Sequence, residues 1–460
     1  MQLSERFIKY MEEAIGHENA LVAFSAFQHQ ASVSVRVNPF KLSEKPEGTP
    51  VPWSRHGCIL DQRPVFTLDP LFHGGAYYVQ DSSSMFVGHI FRQLISGMTL
   101  PKSRPVRVLD LCAAPGGKTT DLAASLREMF GDSFLLVANE VMKARVGVLA
   151  DNVVLWGDPN VVVTSADPKA FASLQGFFDV IVADVPCSGE GMFRKDEQAQ
   201  DQWSEDNVAL CEARQRRIVA DVWPALSQNG LFIYSTCTFN ARENDGNVRW
   251  ISESLDAELL CADSSAVMME GIIRTGCGYS LVPGHVPGEG QYCSALCKRA
   301  EDVVSWAESR SSGKSARRSS DVQAPDSLKD LFKVDVTFRS KGGLLIAVPS
   351  MIINEVRMLE NCLQVVSAGC AAGMVKGRDF VPDADLALSL ILKADAFPSV
   401  EVDKETALAY LHRDAIVLKD VEKGYIIIKY DGVSLGFVKN IGNRCNNLHP
   451  QSRRIRMDIK

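Results

Sequence analysis

The stretch V-R-V-L-D-L-C-A-A-P-G-G-K-T-T (residues 106–120) decides the fold. An apolar run halts in a Gly/Pro turn, and a helical pattern follows it. An α/β sheet builds a cradle for a charged ligand in this way. Further on, F-F-D-V-I-V-A-D-V-P-C-S-G-E-G (residues 177–191) repeats the device, strand into loop. A third apolar strand, G-L-F-I-Y-S-T-C-T-F (residues 230–239), runs into Cys237. Three strands ending in polar or reactive residues predict one crevice at their carboxyl ends.

With 460 residues the chain exceeds what one core organises, so two to four domains are expected. No run reaches the roughly 18 apolar residues of a spanning helix. The start, M-Q-L-S-E-R-F-I-K-Y-M-E-E-A-I, is amphipathic and acidic, a poor export signal. The 12 cysteines form no dense framework and read as free thiols in a reducing cytoplasm. Cys293 and Cys297 lack a nearby His or Cys pair, so no metal site is expected. A net charge of -7 argues against a wholly basic nucleic-acid coat while leaving room for local basic surfaces.

In chain order, residues 4–15 and 21–27 read as helices, and residues 31–40 as a strand stopped by Pro39. Arg36 on that strand is expected to face solvent. Asp81, Ser83 and Ser84 suit the cap of a helix over 85–95. Alternating strands at 106–111, 134–138, 161–164, 178–183 and 231–235, with helices at 118–129, 141–154, 205–226 and 241–255, predict a doubly wound sheet. Two further strands, around 280–283 and 291–297, close it. Residues 300–330 are Ser/Arg-rich and read as a mobile linker. Beyond it lie a strand at 342–349, a helical pattern at 384–392, and closely spaced strands within 414–439 that suggest a small β-barrel. From Lys439 onward six Arg or Lys face one Asp, a footprint that suits nucleic acid.

The glycine loop nearly spells a phosphate-binding P-loop, yet the first glycine is missing and Pro115 removes an amide donor. The dinucleotide pattern G-x-G-x-x-G is absent. S-adenosylmethionine, which carries no phosphate, fits better. It needs close backbone, supplied by Cys112, Ala113, Ala114, Pro115, Gly116 and Gly117 with Lys118, and it needs carboxylates. Glu140 stands where ribose hydroxyls are bound, Asp167 where an adenine amine would be met, and Asp184 near the methionine end.

Cys187 and Cys237 close two neighbouring strands. Thiols beside a methyl-donor pocket suggest methylation at carbon 5 of a pyrimidine. A thiolate adding to carbon 6 makes carbon 5 nucleophilic, and the base must be flipped or single-stranded to enter. R-V-N-P (36–39), G-A-Y-Y-V-Q-D (75–81), D-L-C-A-A-P-G-G-K-T (110–119), A-D-V-P-C-S-G-E-G (183–191) and S-T-C-T (235–238) closely resemble the RNA cytosine-5 methyltransferases of the NOL1/NOP2/sun type. Within them the chain looks like the bacterial small-subunit (16S) ribosomal RNA enzymes with a PUA-like end, here G-F-V-K-N-I-G-N-R (436–444).

The resemblance implies that Cys237 attacks carbon 6, that Cys187 assists release, and that Asp184 and Lys118 hold the cytosine edge. It implies a Rossmann-like S-adenosylmethionine-dependent methyltransferase sheet with an N-terminal α+β subdomain and a small C-terminal β domain. The expected boundaries are 1–90, 91–300, a linker at 301–335, an intermediate domain at 336–400 and a PUA-like RNA-binding domain at 401–460. Arg194 and Lys195, and with less support Arg214, Arg216 and Arg217, are expected to meet phosphates; Arg145 and Asn152 are read as structural. The implied partner is small-subunit ribosomal RNA or the 30S subunit, met by a monomer without membrane attachment. A tRNA cytosine-5 methyltransferase, a P-loop nucleotidase and a non-catalytic RNA-binding assembly factor are the competing readings.

Overall fold

The computed structural model describes residues 3–195, 197–260, 269–300, 320–377 and 379–459. The expected linker lies partly outside the described residues, at 301–319.

The central sheet is built from β1 (Val106–Asp110), β2 (Phe134–Asn139), β3 (Val161–Thr164), β4 (Phe178–Asp184) and β5 (Leu226–Thr236), all parallel. Their spatial order is β3-β2-β1-β4-β5. Strands β2 and β3 are buried along their whole length. Helices covering both faces exclude water, and this is why the strand sequences read as continuous Val/Ile/Leu/Phe runs rather than alternating ones. Helices α1 (Gly117–Phe130) and α2 (Lys143–Trp156) follow β1 and β2, and α3 (Glu205–Val222) precedes β5. Two antiparallel strands, β6 (Tyr279–Leu281) and β7 (Gln291–Lys298), extend the sheet beyond β5. The order reverses between β1 and β4, the switch point where such sheets open a crevice at their carboxyl ends.

Most of residues 336–400, expected as an intermediate domain, builds an antiparallel sheet of its own from Val336–Lys341, Leu344–Pro349, Cys370–Lys376 and Asp379–Pro382, and one short strand joins the central sheet. Strand β8 (Val365–Ser367) pairs antiparallel with β3. The helix Ile353–Cys362 sends Ile353, Val356 and Leu359 into the same core as Leu109, Ile181 and Phe232. Each aliphatic side chain buried in this way contributes about 1.5–3 kcal/mol, so this helix and the central sheet share one core, while Val336, Phe338, Cys370 and Leu386 pack in another with Ile427 and Phe437. The helical pattern at 384–392 is only a 3-10 turn at Ala384–Leu388, capped by Asp383.

The C-terminal module pairs Ser399–Glu401, Gly424–Tyr430, Val433–Asn440 and Cys445–Asn447 in one sheet around the helix Lys404–His412. Residues 414–419, expected as a strand, are not part of it. Ile416 and Leu418 are buried there beside the helix residues Leu408 and Leu411, so the alternation reflects a packed loop.

The N-terminal region forms two helices, Glu5–Ile15 and His17–Ala26, and a four-stranded antiparallel sheet centred on Val33–Val37. Arg36, expected on the surface, is instead among the most deeply buried side chains, at 1% exposure. Its guanidinium donates to Gln80 Oε1 at 2.8 Å, Gly117 O at 3.2 Å and Thr120 Oγ1 at 2.5 Å, and it lies over the Trp156 ring. Asp121 stands 3.9 Å away and is paired closely with Arg92. Arg36 therefore ties the N-terminal sheet to the start of α1. Removing one partner of a buried charge cluster strands the others, at a cost of about 3–5 kcal/mol. Arg36→Ala is expected to lower the unfolding free energy measured by urea titration by an amount in that range, whereas exposed Arg55→Ala leaves it nearly unchanged.

Candidate active site

The crevice opens where β1, β2, β4 and β5 end. The glycine loop is fixed by its own carbonyls and amides before any ligand arrives. Ala113 N donates to Asn139 O, Arg145 donates to Ala114 O, and Asn152 Nδ2 donates to Pro115 O at 2.8 Å. Arg145 and Asn152 thus hold the loop, as a structural reading expects. Gly116 adopts a left-handed conformation (φ 116°) as the residue before α1, a region that L side chains enter only with strain.

Asp110, at the end of β1, is fully buried. One of its oxygens accepts from Thr119 Oγ1 at 2.6 Å; the other has no hydrogen-bond partner. Burial, reinforced by the nearby Asp184 and Glu140 and opposed by Thr119 and Lys118, pushes its carboxyl up to about 7. Lys118 Nζ reaches Asp184 Oδ2 at 2.8 Å. Burial works against the Lys118 ammonium, but Asp184, with help from Cys237 and Asp110, outweighs it and lifts the lysine above its ordinary value. Asp184 is oriented from its other oxygen by Ser235 Oγ at 2.7 Å and Gln291 Nε2 at 3.0 Å. Register explains the first contact: Ser235 is the β5 partner of Asp184.

The two cysteines meet. Cys187 Sγ lies 3.2 Å from Cys237 Sγ. Its contact with Cys237, its burial and the charge of Glu243 push the Cys187 thiol well above the usual cysteine range, so it keeps its proton at rest.

The remaining cofactor candidates divide. Cys112 is half-buried, and its thiol is pushed up by desolvation and by the carboxylates of Asp110, Asp184 and Glu140. Glu140 follows β2 directly. Its Oε1 accepts from Met142 N at 2.8 Å, and its Oε2 faces Arg145 at 3.5 Å. Asp167 stands apart from the cluster. It caps the turn Pro168–Ser173 through Lys169 N, and its side chain is about half exposed at the rim.

Two phosphate candidates are engaged elsewhere. Arg194 is buried against Glu289, donating from Nε at 2.8 Å and from Nη2 at 3.0 Å, and Lys195 pairs with Asp81 at 3.4 Å. A polar loop sequence gave no sign of Glu289, which arrives from a distant segment. Arg216 is likewise paired with Glu212, and Arg217 with Asp221. Ser235 and Gln291 were missed as well. The S-T-C-T motif held the first, and only the antiparallel return of β7 brings in the second.

Comparisons with known proteins agree with this architecture. Residues 98–297 match the model of the 16S rRNA methyltransferase RsmB/F family. Residues 3–82 match the N-terminal domain of 16S rRNA methyltransferase RsmF, and residues 397–455 match the methyltransferase RsmF PUA domain. A ribosomal RNA small subunit methyltransferase F from Enterobacter sp. (strain 638) is 28% identical over 97% of this chain and 95% of its own. The protein of the same name from Cronobacter sakazakii (strain ATCC BAA-894) is 35% identical over 58% of each chain. Among solved structures, NSun6 from Pyrococcus horikoshii with SFG superposes with a TM-score of 0.52 at 17% identity, covering 65% of this chain and 99% of that one. A methyltransferase homolog protein from the same organism gives a TM-score of 0.50 at 23% identity, over 64% of this chain and 100% of that one. At these identities the two structures speak for the fold. With all three models falling in order along one sequence, the chain belongs to the 16S rRNA methyltransferase RsmB/F family.

Proposed function

We propose that the protein methylates carbon 5 of a cytosine in small-subunit ribosomal RNA, with S-adenosylmethionine as donor. The observation that carries this reading is a pair of thiols in contact beside the Lys118–Asp184 ion pair, at the ends of adjacent parallel strands.

The crevice suits the donor. S-adenosylmethionine carries a sulfonium and an ammonium, and the walls supply the carboxylates of Asp110, Glu140 and Asp184, with one buried Asp110 oxygen unpartnered. Residues 112–118 form the backbone side of this site, and Asp167 stands at its rim for the adenine amine. When bound, the donor supplies an electrophilic methyl group. The nucleotidase reading needs a nest of free amides, whereas here Pro115 has none and the loop carbonyls are tied to Arg145 and Asn152.

A flipped cytosine is held by Asp184 at N3 and the exocyclic amine. Lys118, Ser235 and Gln291 fix that carboxylate in place, so its charge is preorganised for the adduct. Cys237 adds to carbon 6, which converts the ring to an enamine with carbon 5 nucleophilic. Once carbon 5 carries the methyl group, loss of its proton re-forms the C5–C6 double bond and expels the Cys237 sulfur as thiolate. Cys187, in contact with that sulfur, assists release.

RNA approaches across the crevice and the C-terminal module. Arg444, Arg454 and Arg456 are exposed there, while Arg453 is engaged with Asp151 and Asp385. No helix among the described residues is long and apolar enough to cross a membrane. The protein acts in the cytoplasm as a monomer, on ribosomal RNA or the 30S subunit.

Cys237→Ala is expected to abolish both product and covalent adduct; normal methylation by that variant overturns the nucleophile assignment. Cys187→Ala should accumulate a protein–RNA adduct visible on a denaturing gel. Bisulfite sequencing of ribosomal RNA with and without the gene identifies the cytosine, and an unchanged 16S pattern with a changed tRNA pattern redirects the substrate. Burial raises the Asp110 carboxyl to about 7, and only its charged form attracts the cationic donor. Calorimetric affinity for S-adenosylmethionine should therefore rise several-fold from about pH 6 to about pH 8, and Asp110→Asn should flatten the profile.

A further inference from the structure

Two carboxylates behind the thiols are buried and take no part in the reaction just described. Glu190 sits three residues after Cys187 and is 1% exposed; Glu243 sits six residues after Cys237 and is fully buried. Each reaches across to the other cysteine's loop. Glu190 Oε2 accepts from the amides of Phe239 and Asn240, at 2.6 and 3.1 Å, immediately beyond Cys237. Glu243 Oε2 accepts from the amide of Ser188, next to Cys187, at 3.1 Å, and from Gln215 Nε2 at 2.7 Å.

Asn240 joins the two, donating from Nδ2 to Glu190 Oε1 at 2.9 Å and to Glu243 Oε1 at 2.8 Å. Trp203 Nε1 donates to Glu190 Oε1 as well, at 2.8 Å. The loops also meet directly. Gly191 N donates to Cys237 O at 2.7 Å, and the hydroxyls of Ser188 and Thr238 lie 2.9 Å apart. A Cβ at position 191 would stand 2.8 Å from that same Cys237 carbonyl oxygen.

We propose that Glu190 and Glu243 form a reciprocal strap that sets the separation of the two thiols, and that they are positioning residues for the reaction. The strap fixes backbone, not substrate. A loop after a strand is free to drift, and catalytic geometry tolerates only a fraction of an ångström of drift. Each carboxylate anchors amides one to three residues past the opposite cysteine, so neither loop moves without pulling the other. Every group facing the two carboxylates among these contacts is a donor apart from the Ser188 hydroxyl, which can turn either way. A glutamine therefore places an N–H against N–H groups while keeping nearly the same shape.

The inference rests on the proposed roles of Cys187 and Cys237, and its test separates the two. Glu190→Gln and Glu243→Gln are compared with the wild type in steady-state methylation. Both are also treated with diamide, which takes up two hydrogens as Cys187 and Cys237 close to a disulfide, with peptide mapping to follow that one crosslink. The strap predicts a kcat lower by at least 30-fold, KM for RNA and for donor within threefold, and crosslinking at least tenfold slower. The crosslink reads thiol separation without any methyl transfer, so it answers even if the assignment of Cys237 as nucleophile fails.

Should either variant not fold, Asn240→Ser, which loses the donor shared by both carboxylates, carries the same comparison with smaller changes in the same direction. A crosslinking rate equal to that of the wild type overturns the strap, whatever happens to kcat. So does an unchanged kcat with slowed crosslinking, because thiol separation would then not limit the reaction.

Discussion

Arg36 is the constraint on which the active region depends. A guanidinium with 1% exposure is tolerable only where most of its donors are met. Here Gln80 from the N-terminal sheet meets Nε, Gly117 and Thr120 from the first turn of α1 meet Nη2, and the Trp156 ring lies against the guanidinium, while Nη1 has no hydrogen-bond partner. That turn is the end of the glycine loop. The N-terminal sheet therefore helps set where the glycine loop stands. Lys41 repeats the arrangement nearby. It donates to Gly74 O at 2.9 Å and Leu155 O at 2.6 Å, and burial lowers its ammonium to about 7.

The parallel strands were legible because a sheet covered on both faces has one solution in sequence, an unbroken apolar run ended by a polar residue. Asp184 and Cys237 were visible at those ends, whereas Asp110 was read only as part of its strand. Arg36 and Arg194 were misread for a common reason: a charged residue in an otherwise polar stretch looks solvated, and the partners that make burial affordable are far away in sequence. Glu289 lies on the approach to β7, and Thr120 lies beyond the glycine loop. Gln291 was invisible because a glutamine opening a strand carries no pattern of its own. The strand expected at 414–419 failed differently. Alternating burial of Ile416 and Leu418 arises equally from a loop laid over a helix, and periodicity over so few residues does not separate the two.

The three sequence modules are physically one assembly. Val433 of the C-terminal sheet packs with Val35, Ala76 and Tyr77 of the N-terminal sheet. Leu328, Leu386 and Phe437 share a further cluster that joins the segment before the C-terminal module to the module itself. Arg453 pairs with Asp151 on α2. The exposed arginines of the last residues are thereby carried on a body that is continuous with the crevice.

Strand β8 has a consequence for how the molecule forms. It pairs with β3, a strand far earlier in the chain, and covers an edge that would otherwise be bare. Contacts between such distant segments carry a large loop-closure entropy and form late. While the chain is being made, β3 stands as an open parallel edge, the kind of surface on which other strands add. Its protection waits until residues 365–367 have been synthesised.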